Sequence, residues 1–98
     1  MTLLKDKVVF ITGGSTGIGW VCAQRYALQG ARVAIAAIDR EEVERAAKEL
    51  GGEHLGLVCD VRQQLDVERA IDQTLGQFGR LDAVHNNAGI ATPSKAMQ

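Results

Sequence analysis

The chain has 98 residues, 46% of them hydrophobic and 23% charged, a balance that fits one small globular domain and excludes a multidomain assembly. With a formal net charge of -1 and no contiguous basic block, it offers nothing to hold nucleic acid or an anionic membrane. No apolar run approaches the roughly 18 residues of a membrane span, and Lys5-Asp6-Lys7 interrupts any signal-peptide core, so the expected address is the cytoplasm and the expected partner a small molecule.

Val8 to Ile11 is apolar at every position, as a strand buried on both faces of a parallel sheet requires. Ile18 to Leu28 follows as a helix, with Ile18, Val21, Cys22, Arg25 and Leu28 at helical spacing and Gly30 as its stop. Arg32 to Ile38 reads as a second buried strand. Glu41 to Leu50 is an amphipathic helix carrying Val43, Ala46, Ala47 and Leu50 on one face, while Glu41, Glu42, Glu44, Arg45 and Lys48 form a solvated face with i,i+4 pairing. Leu55 to Cys59 is a third strand. Val67, Ala70, Ile71, Thr74, Leu75 and Phe78 mark a third helix stopped by Gly79, and Leu81 to His85 is a fourth strand.

Strand and helix alternating with short links imply parallel strands joined by right-handed crossovers, in an α/β fold with helices on both faces of the sheet. Cys22 and Cys59 lie in apolar surroundings without CxxC spacing and read as buried reduced thiols. His54 and His85 have no ligand partner at metal spacing, so no metal is expected.

The first strand runs into Thr12-Gly13-Gly14-Ser15-Thr16-Gly17-Ile18-Gly19 and then into a helix. Gly13 suits a sharp exit from the strand, Gly17 lets main chain approach a pyrophosphate, and Gly19 lets the helix pack close to the strand. The helix start offers unpaired N–H groups and a positive dipole end to phosphates. No Gly-Lys-Ser/Thr follows, which disfavours a P-loop and ATP or GTP hydrolysis.

The spacing Thr-Gly-x-x-x-Gly-x-Gly resembles the short-chain dehydrogenase/reductase family. Two further matches follow in order, Cys59-Asp60-Val61 after the third strand and Asn86-Asn87-Ala88-Gly89 after the fourth. The resemblance covers nearly the whole chain. It implies a Rossmann-type three-layer fold with strand order 3-2-1-4, and an oxidoreductase passing hydride between NAD or NADP and an alcohol or carbonyl substrate. Gly13, Ser15, Gly17, Ile18 and Gly19 would then line the pyrophosphate and nearby ribose. Asp60 would accept from the adenine amino group, with the Val61 backbone beside the ring, unless Asp60 only caps a turn. Asn86 or Asn87, with Ala88 and Gly89, would wall the cofactor and brace the fourth strand; one of the two asparagines could serve a purely structural turn.

Cofactor choice rests on the end of the second strand, where a carboxylate accepts from the ribose 2′-hydroxyl and an arginine accommodates a 2′-phosphate. NAD-preferring relatives usually carry the acid at the position of Ala37, but here Asp39 stands two residues later with Arg40 beside it. Asp39 either reaches the ribose or caps the next helix, and the balance tips only slightly to NAD.

Relatives reduce carbonyls with a Tyr, a Lys four residues later and a Ser, all beyond this segment. The one tyrosine, Tyr26, is followed by Gly30 and reads as packing or surface, and Ser94 and Lys95 have no tyrosine with them. The expectation is that this chain supplies the cofactor-binding part and no catalytic residue, the alternative being a silent nucleotide-binding module. Trp20 reads as packing near the phosphate turn. The fourth strand is expected to leave Leu81, Ala83 and Val84 uncovered, so either the chain was cut from a longer frame or a partner covers that edge. Substrate and oligomeric state stay open, with homo-oligomers common among relatives.

Overall fold

The computed structural model describes residues 3–86. Ser94 and Lys95, and the cofactor-wall residues Asn87, Ala88 and Gly89, lie outside them. The elements alternate as β1 (Val8–Thr12), α1 (Gly17–Leu28), β2 (Arg32–Ala37), α2 (Arg40–Leu50), β3 (Leu55–Val58), α3 (Gln64–Phe78) and β4 (Ala83–Asn86). The strands form one parallel sheet in the order β3-β2-β1-β4.

The continuous apolar runs do what their composition dictates. β1 is buried at all five residues and β2 at its four central ones. Successive side chains point to opposite faces, so each strand feeds two cores. Val9, Ile11, Val33 and Ile35 meet Ala23 of α1 and Val43 and Ala46 of α2 on one side. Phe10, Ala34, Ala36, Leu57 and Cys59 meet Ala70 of α3 on the other. The result is three layers, α1 and α2, the sheet, and α3.

Several boundaries shift from the sequence reading. The apolar spacing that marks α1 lies on its outer side: Ile18, Val21 and Leu28 are exposed, while Gly19 and Ala23 are the buried residues. β4 begins at Ala83 and not at Leu81, because the Val8 N–H that flanks the start of the strand donates to the Asp82 carboxylate (Oδ2, 2.7 Å). Ile38 falls outside β2 and is exposed. Cys59 follows the last residue of β3 but keeps the ladder going, its N–H donating to Ala37 O at 2.8 Å. Cys59 is buried, which raises its thiol pKa, and Cys22 is half-buried; both are free thiols. Ala83 and Val84 at the β4 edge are exposed and Leu81 is half-buried. Among the described residues no helix is long and apolar enough to cross a membrane.

α2 rides directly on β3. A Cβ at Gly56 would stand 2.5 Å from the carbonyl oxygen of Val43 and 2.9 Å from its carbon, so backbone, not a pliable side chain, sets this contact. Gly56→Ala is expected to destabilise the chain by about 1–3 kcal/mol through overpacking. That is a fall of roughly 4–8 °C in Tm per kcal/mol for a domain of this size; an unchanged melting curve by circular dichroism would contradict it.

Asp82 joins the lead into β4 to the start of β1. Arg80 Nη2 donates to its Oδ1 at 2.8 Å and Arg80 Nε to its Oδ2 at 2.9 Å, alongside the Val8 bond. Arg80 first, and the Val8 N–H second, hold the Asp82 carboxyl below the ordinary carboxylate range. The folded pKa lies below the unfolded one, so this stabilisation is complete above about pH 4 and fades as pH falls through the folded value. The stability gap between wild type and Asp82→Asn should therefore be widest at neutral pH and close in acid, read from urea midpoints across pH; a gap that grows on acidification would contradict the assignment.

Candidate cofactor site

β1, buried throughout and paired on both edges, aims its carboxyl end at the turn that opens α1. Gly13 and Gly17 both take positive φ, 66° and 60°, which a residue with a Cβ adopts only with strain. The Gly13 N–H donates to Ala36 O at 2.8 Å, so the exit from β1 stays stitched to β2. From there the turn moves outward: Thr16, Gly17 and Ile18 are exposed, and among the described residues nothing lies within 4 Å of where a Cβ on Gly17 would stand. Gly19 is buried in the first turn of α1.

Thr16 occupies the N-cap position of α1 without a side-chain cap bond, and the Trp20 N–H donates to Thr16 O at 3.2 Å. Among the described residues nothing caps the first amides and positive dipole end of the helix. A pyrophosphate fits such a surface, since its oxygens need donors and close main-chain approach. Trp20 packs partly buried against the core on the α1 side, as expected of a packing residue.

Around this turn Ser15, Thr12 and Asp39 have side-chain partners within the fold. Ser15 Oγ donates to Glu42 Oε1 of α2 at 3.3 Å. Thr12 Oγ1 donates to Asn86 Oδ1 at 3.0 Å, tying the carboxyl ends of β1 and β4 together. Of the two roles open to Asp39, the structure shows the helix cap: its Oδ1 accepts the Glu42 N–H at 3.1 Å. Arg40, the candidate for a 2′-phosphate, is paired with Glu44 at 3.7 Å, both largely exposed.

Asp60 stands just past β3. Arg62 grips it with Nε and Nη2, each at 3.0 Å, and the Arg62 N–H adds a third bond at 3.0 Å. These bonds hold the Asp60 carboxyl below its ordinary range, with the Arg62 side chain the largest cause. Asp60 is thus a fixed, ionised acceptor. Beside it a cleft of about 340 Å³ opens at the carboxyl ends of β1 and β4, bordered by Thr12, Val61, Arg62 and Asn86 over an apolar floor that includes Phe10 and Val84.

Three connections here escaped the sequence reading. Glu42 looked like one more acid on a solvated face, yet it is half-buried against Ser15. Arg62 lay outside every recognised motif, although an arginine two residues after an aspartate is a local pairing signal. Tyr26 and His85 share a hydrogen bond of 2.7 Å between the hydroxyl and Nδ1, with the rings edge to face; their separation of 59 residues gives no local cue. His54 is likewise engaged, its Nδ1 accepting the Val33 N–H at 3.0 Å, and burial lowers its pKa. Among the described residues no group of three His, Cys, Asp or Glu side chains is arranged to hold a metal.

The short chain dehydrogenase family model matches residues 7–98. The chain is 41% identical over 91 residues to D-threitol dehydrogenase of Mycolicibacterium smegmatis, covering 90% of this chain and 35% of that protein. It is 42% identical over 85 residues to the 3-oxoacyl-[acyl-carrier-protein] reductase of Bos taurus, covering 87% and 36% respectively. Among solved structures it matches the 3-ketoacyl-(acyl-carrier-protein) reductase of Brucella melitensis complexed with NADH, with a TM-score of 0.80, 37% identity, and coverage of 83% of this chain and 33% of that one. The chain thus spans about a third of the length of these relatives. A Rossmann-type sheet in the order β3-β2-β1-β4, an open glycine turn at the end of its central strand and a family match from residue 7 onward make this chain a member of the short-chain dehydrogenase/reductase family.

Proposed function

We propose that this chain supplies the dinucleotide-binding part of an oxidoreductase that passes hydride between NAD(P), with NAD favoured, and an alcohol or carbonyl substrate. The observation that carries this reading is the bare, outward-facing helix start after β1, with open space above Gly17. The relative of known structure that holds NADH supports a nicotinamide dinucleotide as the ligand class.

In this reading Gly13, Ser15, Gly17, Ile18 and Gly19 form the bed for pyrophosphate and ribose. Asp60, fixed by Arg62 as an ionised acceptor, receives the adenine amino group, with Val61 beside the ring. Asn87, Ala88 and Gly89, which follow Asn86 in the sequence, are assigned to the cofactor by the family's motif. Asp39 acts through the helix cap that sets where α2 begins. The nicotinamide, when bound, supplies the hydride chemistry, and this chain's own residues bind and orient the dinucleotide. Tyr26, the one tyrosine, is engaged with His85 and is no proton donor to a carbonyl. A substrate-binding and proton-donating part of the parent enzyme completes the reaction.

NADH titrated into the chain should change Trp20 fluorescence saturably. Gly17→Val should abolish that change, because a branched side chain fills the space above the turn and φ of 60° strains it. Far-UV circular dichroism alongside shows whether the variant stays folded; a folded variant with unchanged affinity would remove the turn from the site.

The purified 98-residue chain should also show no carbonyl reduction with either cofactor. Measurable turnover would overturn its assignment to binding alone.

A further inference from the structure

The residue that sets cofactor choice is missing from its usual place. β2 ends at neutral Ala37, Asp39 is committed to capping α2, and Arg40 is turned onto Glu44. One charged group in this region does face the glycine turn. Glu42, in the first turn of α2, is half-buried and places Oε1 3.3 Å from Ser15 Oγ. Three features hold it there. Its N–H is fixed by Asp39, the Ser15 hydroxyl donates to its carboxylate, and the positive end of the α2 dipole favours an acid in this turn. Glu41, its neighbour, is exposed.

In open α/β folds the carboxylate that reads the ribose stands about 20 residues beyond the glycine turn, close to where the second strand ends. Glu42 occupies that neighbourhood, reaching the turn from the helix and not from the strand. Resting on the dinucleotide reading given above, we propose that Glu42 is the specificity-determining residue of this site. Its carboxylate accepts the ribose 2′-hydroxyl of NAD and repels the 2′-phosphate of NADP. A phosphomonoester beside a partly buried carboxylate faces repulsion that a hydroxyl does not, and among the described residues no cation is paired with Glu42, the nearby Arg40 lying against Glu44.

The test is titration of the whole chain with NADH and with NADPH, followed by Trp20 fluorescence. Wild type should bind NADH roughly tenfold or more tightly than NADPH, and added salt should narrow that ratio by screening the repulsion. Glu42→Gln keeps the side chain's size and an acceptor for Ser15 while removing the charge. It should tighten NADPH binding by roughly tenfold and change NADH binding much less. Glu49→Gln, at an exposed position in the last turn of the same helix, should leave the ratio in place. If both dinucleotides bind and Glu42→Gln does not move their ratio, Glu42 has no part in the choice and this proposal falls alone. If wild type binds neither, the dinucleotide reading falls and takes the role of Glu42 with it.

Discussion

β1 is buried at every residue and hydrogen-bonded along both edges, and every feature at the carboxyl end of the sheet takes its position from it. Its alternating side chains serve both cores at once, Val9 and Ile11 toward α1 and α2, Phe10 toward α3. A strand held on four sides cannot tilt or slide without opening one of those contacts. The turn that follows can therefore be bare. Its main chain does not have to be stiffened by capping side chains, because β1 on one end and the buried Gly19 on the other already fix it. That leaves its amides available to a ligand.

The electrostatics around the turn are built by short local pairings. Arg62 closes on Asp60, Arg40 on Glu44, and Asp39 on the amide of Glu42. The first of these holds the Asp60 carboxyl below its ordinary range. The exceptions are informative. Among the described residues Glu42 is matched by no cation; it rests on the Ser15 hydroxyl beside the glycine turn.

The order of elements, the parallel sheet and the glycine turn were legible in the sequence because local rules govern them. Short continuous apolar runs bounded by glycine and charge suit strands of a parallel sheet, as β1 and β2 show, and glycines between strand and helix suit backbone at positive φ, as at Gly13 and Gly17. The inward face of α1 was not legible. The fully buried positions there are the small residues Gly19 and Ala23, flanked by half-buried Trp20, Cys22, Tyr26 and Ala27, while the strongly apolar Ile18 and Leu28 are 75% and 74% exposed. The start of β4 was displaced because a side chain, Asp82, took the bond to the Val8 N–H. Glu42 read as solvated because nothing in the sequence of α2 reveals that the β1–α1 turn lies over it. Contacts between residues far apart in the chain depend on how elements dock, and no spacing rule encodes that.

The pairing of Tyr26 with His85 carries one more consequence. Where two oily side chains meet, one helix can roll or slip against a strand at little energetic cost, since dispersion is indifferent to direction. A hydroxyl and a ring nitrogen 2.7 Å apart are not indifferent, because the bond weakens steeply when its angle opens. α1 is consequently keyed against rotation about its own axis, and the key sits in the residue just before Asn86. This polar latch adds direction to the packing by which β1 and Gly19 already hold the turn, and ties the helix to the strand that ends beside it.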